Sequence, residues 1–138
     1  MELNASDGSR VRTLSGGNYR FSNPYAITDD GSHIWVANAG GNSVTELNAS
    51  DGSRVQTLSG GNYGFNQPRG IIGDGSQIWV ANNGDDSVTE LNASDGSPVR
   101  TLSGSSDGFD HPSGITADGT RIWVANSGGN SVTELTVG

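Results

Sequence analysis

Apolar and polar residues alternate along this chain in short runs, each closed by a cluster of turn-forming residues. In the middle of the chain, Arg54-Val55-Gln56-Thr57-Leu58 puts Val55 and Thr57 on one side and Gln56 and Leu58 on the other, the two-residue period of a strand. Residues 59–64 form a loop, and Pro68 precedes a second short run, Arg69-Gly70-Ile71-Ile72. Asp74-Gly75-Ser76 carries the Asp-Gly signal of a tight hairpin. Ile78-Trp79-Val80-Ala81 is apolar on both faces, so this strand must be covered on both sides. Residues 83–86 turn the chain, Ser87-Val88-Thr89-Glu90-Leu91-Asn92 is a further strand, and residues 93–97 turn again. No window of about 11 residues or more holds a helical period.

This cycle is repeated. Glu2-Leu3-Asn4-Ala5-Ser6-Asp7-Gly8-Ser9 returns at 46–53 and 90–97, a period of 44, and Glu134-Leu135 opens a fourth copy. The chain is therefore one repeat domain with units 2–45, 46–89 and 90–133 and a partial closing strand at 134–138. A period in this range marks a propeller, a solenoid or an array. Four short antiparallel strands per unit, with both sheet faces apolar, make the blade of an all-β propeller. A β-solenoid would use shorter rungs and fewer turn clusters per period.

Composition narrows the function. With 22 glycines and 31% apolar residues the chain is too glycine-rich for a helical protein. The regular period, with Trp, Ile, Val and Leu in every unit, argues against disorder. A formal charge of −8 repels phosphate backbones, so nucleic-acid binding is not expected. Without cysteine there is neither a disulfide framework nor a thiolate metal site. No apolar run approaches the roughly 18 residues of a membrane span, and the N-terminus has no basic-then-apolar leader. A soluble chain with no membrane partner is expected, its localisation open.

Ile34-Trp35-Val36-Ala37-Asn38, with its counterparts at 78–82 and 122–126, stands in each unit before Gly-x-x-Ser-Val-Thr-Glu-Leu. Pro-x-Gly-Ile occurs upstream at 68–71 and 112–115, and the first unit departs with Pro24-Tyr25-Ala26-Ile27. The cycle resembles NHL and YVTN-type propeller repeats over essentially the whole chain. That resemblance implies a strand order in which the strand after Pro is innermost (A), the Trp strand is B, the Val-Thr-Glu-Leu strand is C and the Val-x-Thr-Leu strand is outermost (D). It implies little about activity, because such propellers serve as binding platforms, interaction domains and occasional enzymes.

On this order the chain carries three A–B–C sets (25–48, 69–92, 113–136) and D strands near 10–14, 54–58 and 98–102. The first D strand is expected to lack its C partner, and the last C strand, near residues 131–136, its D partner. Three blades are too few to close a ring, since propellers typically have about 4–8. An open arc would leave apolar faces and strand edges in water. The expected partner is therefore a second copy, in a C2 homodimer of six blades closed head to tail through Val11, Leu14, Val132 and Leu135; a trimer would give nine. The near-identity of the units fits recent amplification, the shortening of a longer array or engineering, and a Met placed directly before the repeat favours engineering.

Comparing the units with each other points to one face. Units one and two differ at about a dozen positions, all but one between residues 20 and 42; the exception is Arg12 against Gln56. Units two and three differ mostly between Gly61 and Asp86. These stretches hold the D–A loop, strand A and the B–C loop, which in a propeller surround one mouth of the central channel. Loops also vary where nothing packs on them. The binding candidates on this face are Tyr19, Arg20, Tyr25, Tyr63, Arg69, Asp85, Asp86, Asp107, His111 and Ser113. Aromatic rings with a few charges at a channel mouth suit a small polar ligand, a carbohydrate or a peptide.

Catalytic residues, a cofactor and a metal are not expected. His33 starts strand B on the opposite side, and no Ser-His-Asp arrangement can be drawn from serines that sit in turns. Asp85-Asp86 is too small a set for calcium, which needs six to eight oxygens. Asp30, Asp74 and Asp118 precede Gly and are explained by turn chemistry. The resemblance to lactonase-type propellers would require carboxylates and asparagines on the inner strands, where this chain has Ala26, Gly70, Gly114, Thr28, Ile72 and Thr116. Asn4, Asn48 and Asn92 start formal glycosylation acceptors but belong to turns. Trp35, Trp79 and Trp123, like Phe21, Phe65 and Phe109, recur as packing devices between blades. Glu46, Glu90 and Glu134 are expected to be partly covered and to need a partner that the sequence does not name. The expected function is a self-assembling scaffold without catalysis. The alternatives are a ligand-binding module using the variable face and a metal-dependent lyase or hydrolase.

Overall fold

The computed structural model describes residues 1–137. Two strands, β1 (Glu2–Leu3) and β2 (Arg10–Arg12), form a short ribbon. Blade one follows as β3 (Pro24–Asp29), β4 (His33–Asn38), β5 (Ser43–Asn48) and β6 (Arg54–Leu58). Blade two is β7 (Pro68–Gly73), β8 (Gln77–Asn82), β9 (Ser87–Asn92) and β10 (Pro98–Ser103), and blade three is β11 (Pro112–Ala117), β12 (Arg121–Asn126) and β13 (Ser131–Thr136). Each sheet is an antiparallel meander in chain order, with the Asp-Gly turn joining its first two strands as the sequence predicts. The first strands β3, β7 and β11 lie side by side and carry the blades around a common centre.

The core lies between blades and repeats with them. Trp35, Ala37 and Val44 of blade one cluster with Ile71, Ile78, Val80 and Leu91 of blade two. Trp79 and Val88 of blade two cluster with Ile122 and Val124 of blade three, with Ile115 and Leu135 at the margin. A trailing face of Trp, Ala and Val thus meets a leading face of Ile, Val and Leu at each junction. Full burial of one such side chain stabilises by about 1.5–3 kcal/mol, so the aromatic residue repeated in each unit is a packing device, as expected. Phe65 and Phe109 are buried at the same junctions.

The buried polar residues are also periodic. Asn82 Nδ2 donates to Ser87 Oγ at 3.1 Å and Thr89 Oγ1 at 3.0 Å, while its Oδ1 accepts from the backbone of Asn66 at 3.4 Å. Thr89 Oγ1 donates to the carbonyl of Tyr63 at 2.8 Å. Asn38 and Asn126 repeat this arrangement, so the Asn that ends strand B ties the D–A loop to strand C.

One expectation needs correction at the chain's start. The first D strand is not without a C partner: Glu2 and Leu3 pair with Arg12 and Arg10 through a register shift, and Glu2 bonds Arg12. The ribbon satisfies some backbone groups but supplies none of the A and B strands of a blade. β13, by contrast, pairs only with β12 among the described residues, as expected for a C strand without its D strand.

Candidate functional site

The variable loops come together at the ends of β3, β7 and β11, and their backbone is shaped before any side chain is considered. Asn42, Asp86 and Asn130 in the B–C loops all have positive φ, as do Asn23, Gln67 and His111 just before strand A. Asn, Asp and His enter this left-handed region more often than other side chains; Gln67 does so less readily and is held there by its surroundings. The holding contact repeats: Asn42 Oδ1 accepts the backbone N–H of Gln67 at 2.8 Å, and Asp86 Oδ1 accepts that of His111 at 2.7 Å. Each junction between blades therefore carries the same backbone cradle with different side chains.

At the first cradle, Tyr25 and Arg69 meet, with the guanidinium carbon 5.4 Å from the ring centroid. They border a cleft of about 360 Å³ that Asn23, Asn42 and Gln67 complete. At the second cradle, Asp86, Asp110 and His111 bring their ligand atoms within 4.8 Å of one another. His111 Nδ1 lies 2.7 Å from Asp110 Oδ1 and 3.9 Å from Asp86 Oδ1. The hydrogen bond to Asp110, then the charge of Asp86, holds the imidazole above its ordinary value of 6.5. These three are the set among the described residues that could hold a cation, and all are open to solvent.

The other candidates separate. Tyr63 stacks on Phe65 at 5.3 Å and packs against the core, and Tyr19 stacks on Phe21 at 5.4 Å, so both rings brace the D–A loop. Arg20 lies with Arg54 in a shallow cleft toward the rim, apart from Tyr25 and Arg69. Asp85 accepts from Ser87 Oγ at 2.7 Å and closes its own turn. Asp107 stands in the repeat where Tyr63 does, half-buried, with its N–H bonded to the Gly104 carbonyl at 3.1 Å. Ser113, on β11, occupies the position of Tyr25 and Arg69. Sequence reasoning missed Asn23, Asn42, Gln67 and Asp110. The signal was present, because these positions are among the few that change between units.

Of the assembly candidates, Val132 is 65% exposed, whereas the equivalent Val44 and Val88 are fully buried. On the opposite end, Ile27 is 67% exposed and its equivalent Ile71 only 5%. Val11 is exposed to the same degree as Val55 and Val99, which do have a following blade, so its exposure belongs to the outer rim and not to a junction. Leu14 lies over Gly52, and Leu135 packs on the second core cluster. A cavity of about 230 Å³ separates the β1–β2 ribbon from the leading face of blade one, lined by Leu14, Phe21, Ile27, Ile34, Val36 and Leu47 among others.

Among the described residues, no helix is long and apolar enough to cross a membrane. No protein-family model matches the chain, and no curated protein sequence matches it. Among solved structures, it is similar to hydrazine synthase from Kuenenia stuttgartiensis, with a TM-score of 0.67 and 27% identity over 88% of this chain and 32% of that one. It is also similar to BamB from Moraxella catarrhalis, with a TM-score of 0.63 and 16% identity over 80% of this chain and 30% of that one. Virginiamycin B lyase from Staphylococcus aureus gives a TM-score of 0.63 and 22% identity over 83% and 37%. The chain spans about a third of the length of each of these proteins. Four-stranded meanders around a common centre, matched by these structures, make the fold that of a β-propeller.

Proposed function

We propose that the chain is a non-catalytic propeller scaffold that completes its ring by joining a second copy head to tail. The observation that carries this reading is the mismatch in burial at the two ends. Among the described residues, nothing covers the trailing face of Trp123, Ala125 and Val132, and only the ribbon and its cavity cover the leading face of Ile27, Ile34, Val36 and Leu47. Inside the chain the same two faces meet twice. A second copy brings two such junctions of its own, and closure would add two more between the copies, six junctions for six blades, burying the exposed valine and isoleucine.

Strand pairing favours the same arrangement. Glu90 faces Arg100 across β9 and β10, and Glu46 faces Gln56 across β5 and β6. Continued into a second copy, this register puts Glu134 of β13 opposite Arg12 of β2, in the slot that Glu2 holds within one chain. Among the described residues Glu134 pairs only with Arg121, at 2.7 Å, and is half exposed. The longer β13 would displace the two-residue β1. The solution mass tests this: twice 14.2 kDa is expected, three times would mean nine blades, and a stable monomer at micromolar concentration would overturn it.

The cleft beside Arg69 supports a second reading, in which the loop face binds a ligand. A metal-dependent lyase or hydrolase would need a cluster of His and carboxylates, and Asp86, Asp110 and His111 supply that much. Their exposure and the use of His111 Nδ1 by Asp110 favour a solvated hydrogen-bonded group instead. A melting temperature unchanged by calcium, magnesium or zinc is expected; a rise of several degrees would revive the enzyme.

A further inference from the structure

We propose that the cleft between blades one and two binds a small carboxylate-bearing molecule through Arg69. This deepens the ligand-binding reading and rests on it, and not on ring closure, because the cleft is built within one chain.

The guanidinium of Arg69 is left without an anion in a chain of fifteen carboxylates. Arg12, Arg100 and Arg121 each hold a glutamate, and no ion pair among the described residues includes Arg69. Its Nε is buried and meets no acceptor. The buried Nε is out of a ligand's reach, and it is the outer Nη groups of the planar fork, at the cleft wall, that match a carboxylate in two parallel hydrogen bonds. The Tyr25 ring, with its centroid 5.4 Å from the guanidinium carbon, adds a cation–π contact that helps to hold the side chain in place. Asn42 gives its Oδ1 to the backbone of Gln67, so its Nδ2 remains as a donor at the rim of the cleft. The wall is thus made of a cation, side-chain amides and a phenol, and its volume of about 360 Å³ suits a small molecule.

The neighbouring cradle is an internal control. It has the same positive-φ residues and the same backbone hydrogen bond, but Asp86, Asp110 and His111 stand where the first cradle has Asn42, Asn66 and Gln67. Ser113 stands where the first pair of blades has Tyr25 and Arg69. Two cradles with the same backbone hydrogen bond therefore carry opposite charge, and an anion belongs in the first.

Titration calorimetry and chemical-shift mapping with two acids and their neutral twins test this: glucuronate against glucose, and N-acetylalanine against N-acetylalaninamide. The first pair reports a sugar acid and the second an amino-acid carboxylate. At least one acid is expected to bind saturably in the millimolar range or tighter, with its neutral twin at least tenfold weaker. Arg69→Ser, which installs the side chain that unit three carries at this position, is expected to weaken binding at least tenfold without lowering the melting temperature. Asn42→Asp, which copies the charge of Asp86, should do the same. An acid that binds Arg69→Ser as well as the unaltered protein would overturn the proposal. A neutral twin that binds equally would remove the carboxylate assignment and leave the ligand-binding reading standing. No binding by any of the four compounds would overturn the carboxylate proposal, and an empty glycan and peptide array would remove the wider reading as well.

Discussion

The indole Nε1 of Trp79 donates to Oδ2 of Asp74 at 3.0 Å, across the turn that joins β7 to β8. The other carboxylate oxygen of Asp74 accepts the backbone N–H groups of Ser76 and Gln77 at 3.1 and 2.9 Å. One side chain therefore forms the turn and satisfies the buried tryptophan of the next strand. Asp74→Ala is expected to destabilise by about 2–3 kcal/mol, because a buried N–H loses a charged acceptor. Asp118→Ala should lose about 1 kcal/mol less, since Trp123, bonded to Asp118 at 3.1 Å, is only half-buried. Urea unfolding of both variants checks the difference. Equal losses would mean that the turn alone matters.

Gly70 sits where the first strands of blades two and three approach most closely. A Cβ there would lie 2.3 Å from the carbonyl oxygen of Ser113 and 3.2 Å from the Ala81 Cβ. Gly70→Ala must push β7 from β11 and is expected to destabilise by about 1–3 kcal/mol. At the equivalent Gly114 the nearest atom is 3.6 Å away, so Gly114→Ala should be near neutral in a single chain. If it proves as damaging as Gly70→Ala, a neighbour sits against β11, as ring closure would supply.

The strand order, the turns and the packing role of the tryptophans were legible in the sequence because they rest on local rules repeated three times. Period two marks Ser87–Asn92, Asp-Gly marks the hairpin at 74–75, and an apolar run on both faces marks Ile78–Ala81. What was not legible depends on register. Glu46, Glu90 and Glu134 each alternate with valine, but only the pairing of β5 with β6 and of β9 with β10 shows that Gln56 and Arg100 stand opposite the first two. Asp74 looked complete as a turn residue, and its bond to Trp79 needs the strand folded back over the turn. The same holds at the loop face. Asp86 and His111 were visible as single candidates, whereas their approach to each other across a blade junction, with Asp110 between, is a tertiary fact. Tyr19 and Tyr63 were visible as loop aromatics, whereas their stacking on Phe21 and Phe65 is a contact that no spacing rule announces.

Arg100 answers the question that the repeated glutamates raise. Its Nε lies 2.5 Å from Glu90 Oε2, and its guanidinium carbon 5.8 Å from the Trp79 ring. Glu90 is buried, so removing its partner leaves a carboxylate uncompensated, but Arg100 itself is half exposed and water can replace it in part. Arg100→Ala is expected to destabilise by about 1–2 kcal/mol after that screening. Arg100→Gln copies Gln56, whose Nε2 donates to Glu46 at 2.6 Å, and should recover at least half of the loss. A glutamine variant as unstable as the alanine one would show that charge, not the hydrogen bond, is what Glu90 requires.

The His111 cluster gives the loop face a pH dependence with a definite sign. The folded imidazole is held above 6.5 by the hydrogen bond to Asp110 and, second, by the charge of Asp86, so folding favours the protonated form. The contribution is fully present below 6.5 and is lost as pH rises through the raised folded value. NMR titration of the His111 ring should therefore give a midpoint above 6.5. Asp110→Asn should bring it down further than Asp86→Asn, because the 2.7 Å contact outweighs the one at 3.9 Å. The stability difference between the unaltered protein and His111→Gln should shrink on going from pH 6 toward pH 9, about the span over which a raised imidazole loses its proton. A midpoint that Asp110→Asn leaves in place would mean that the two side chains do not stay in contact in solution.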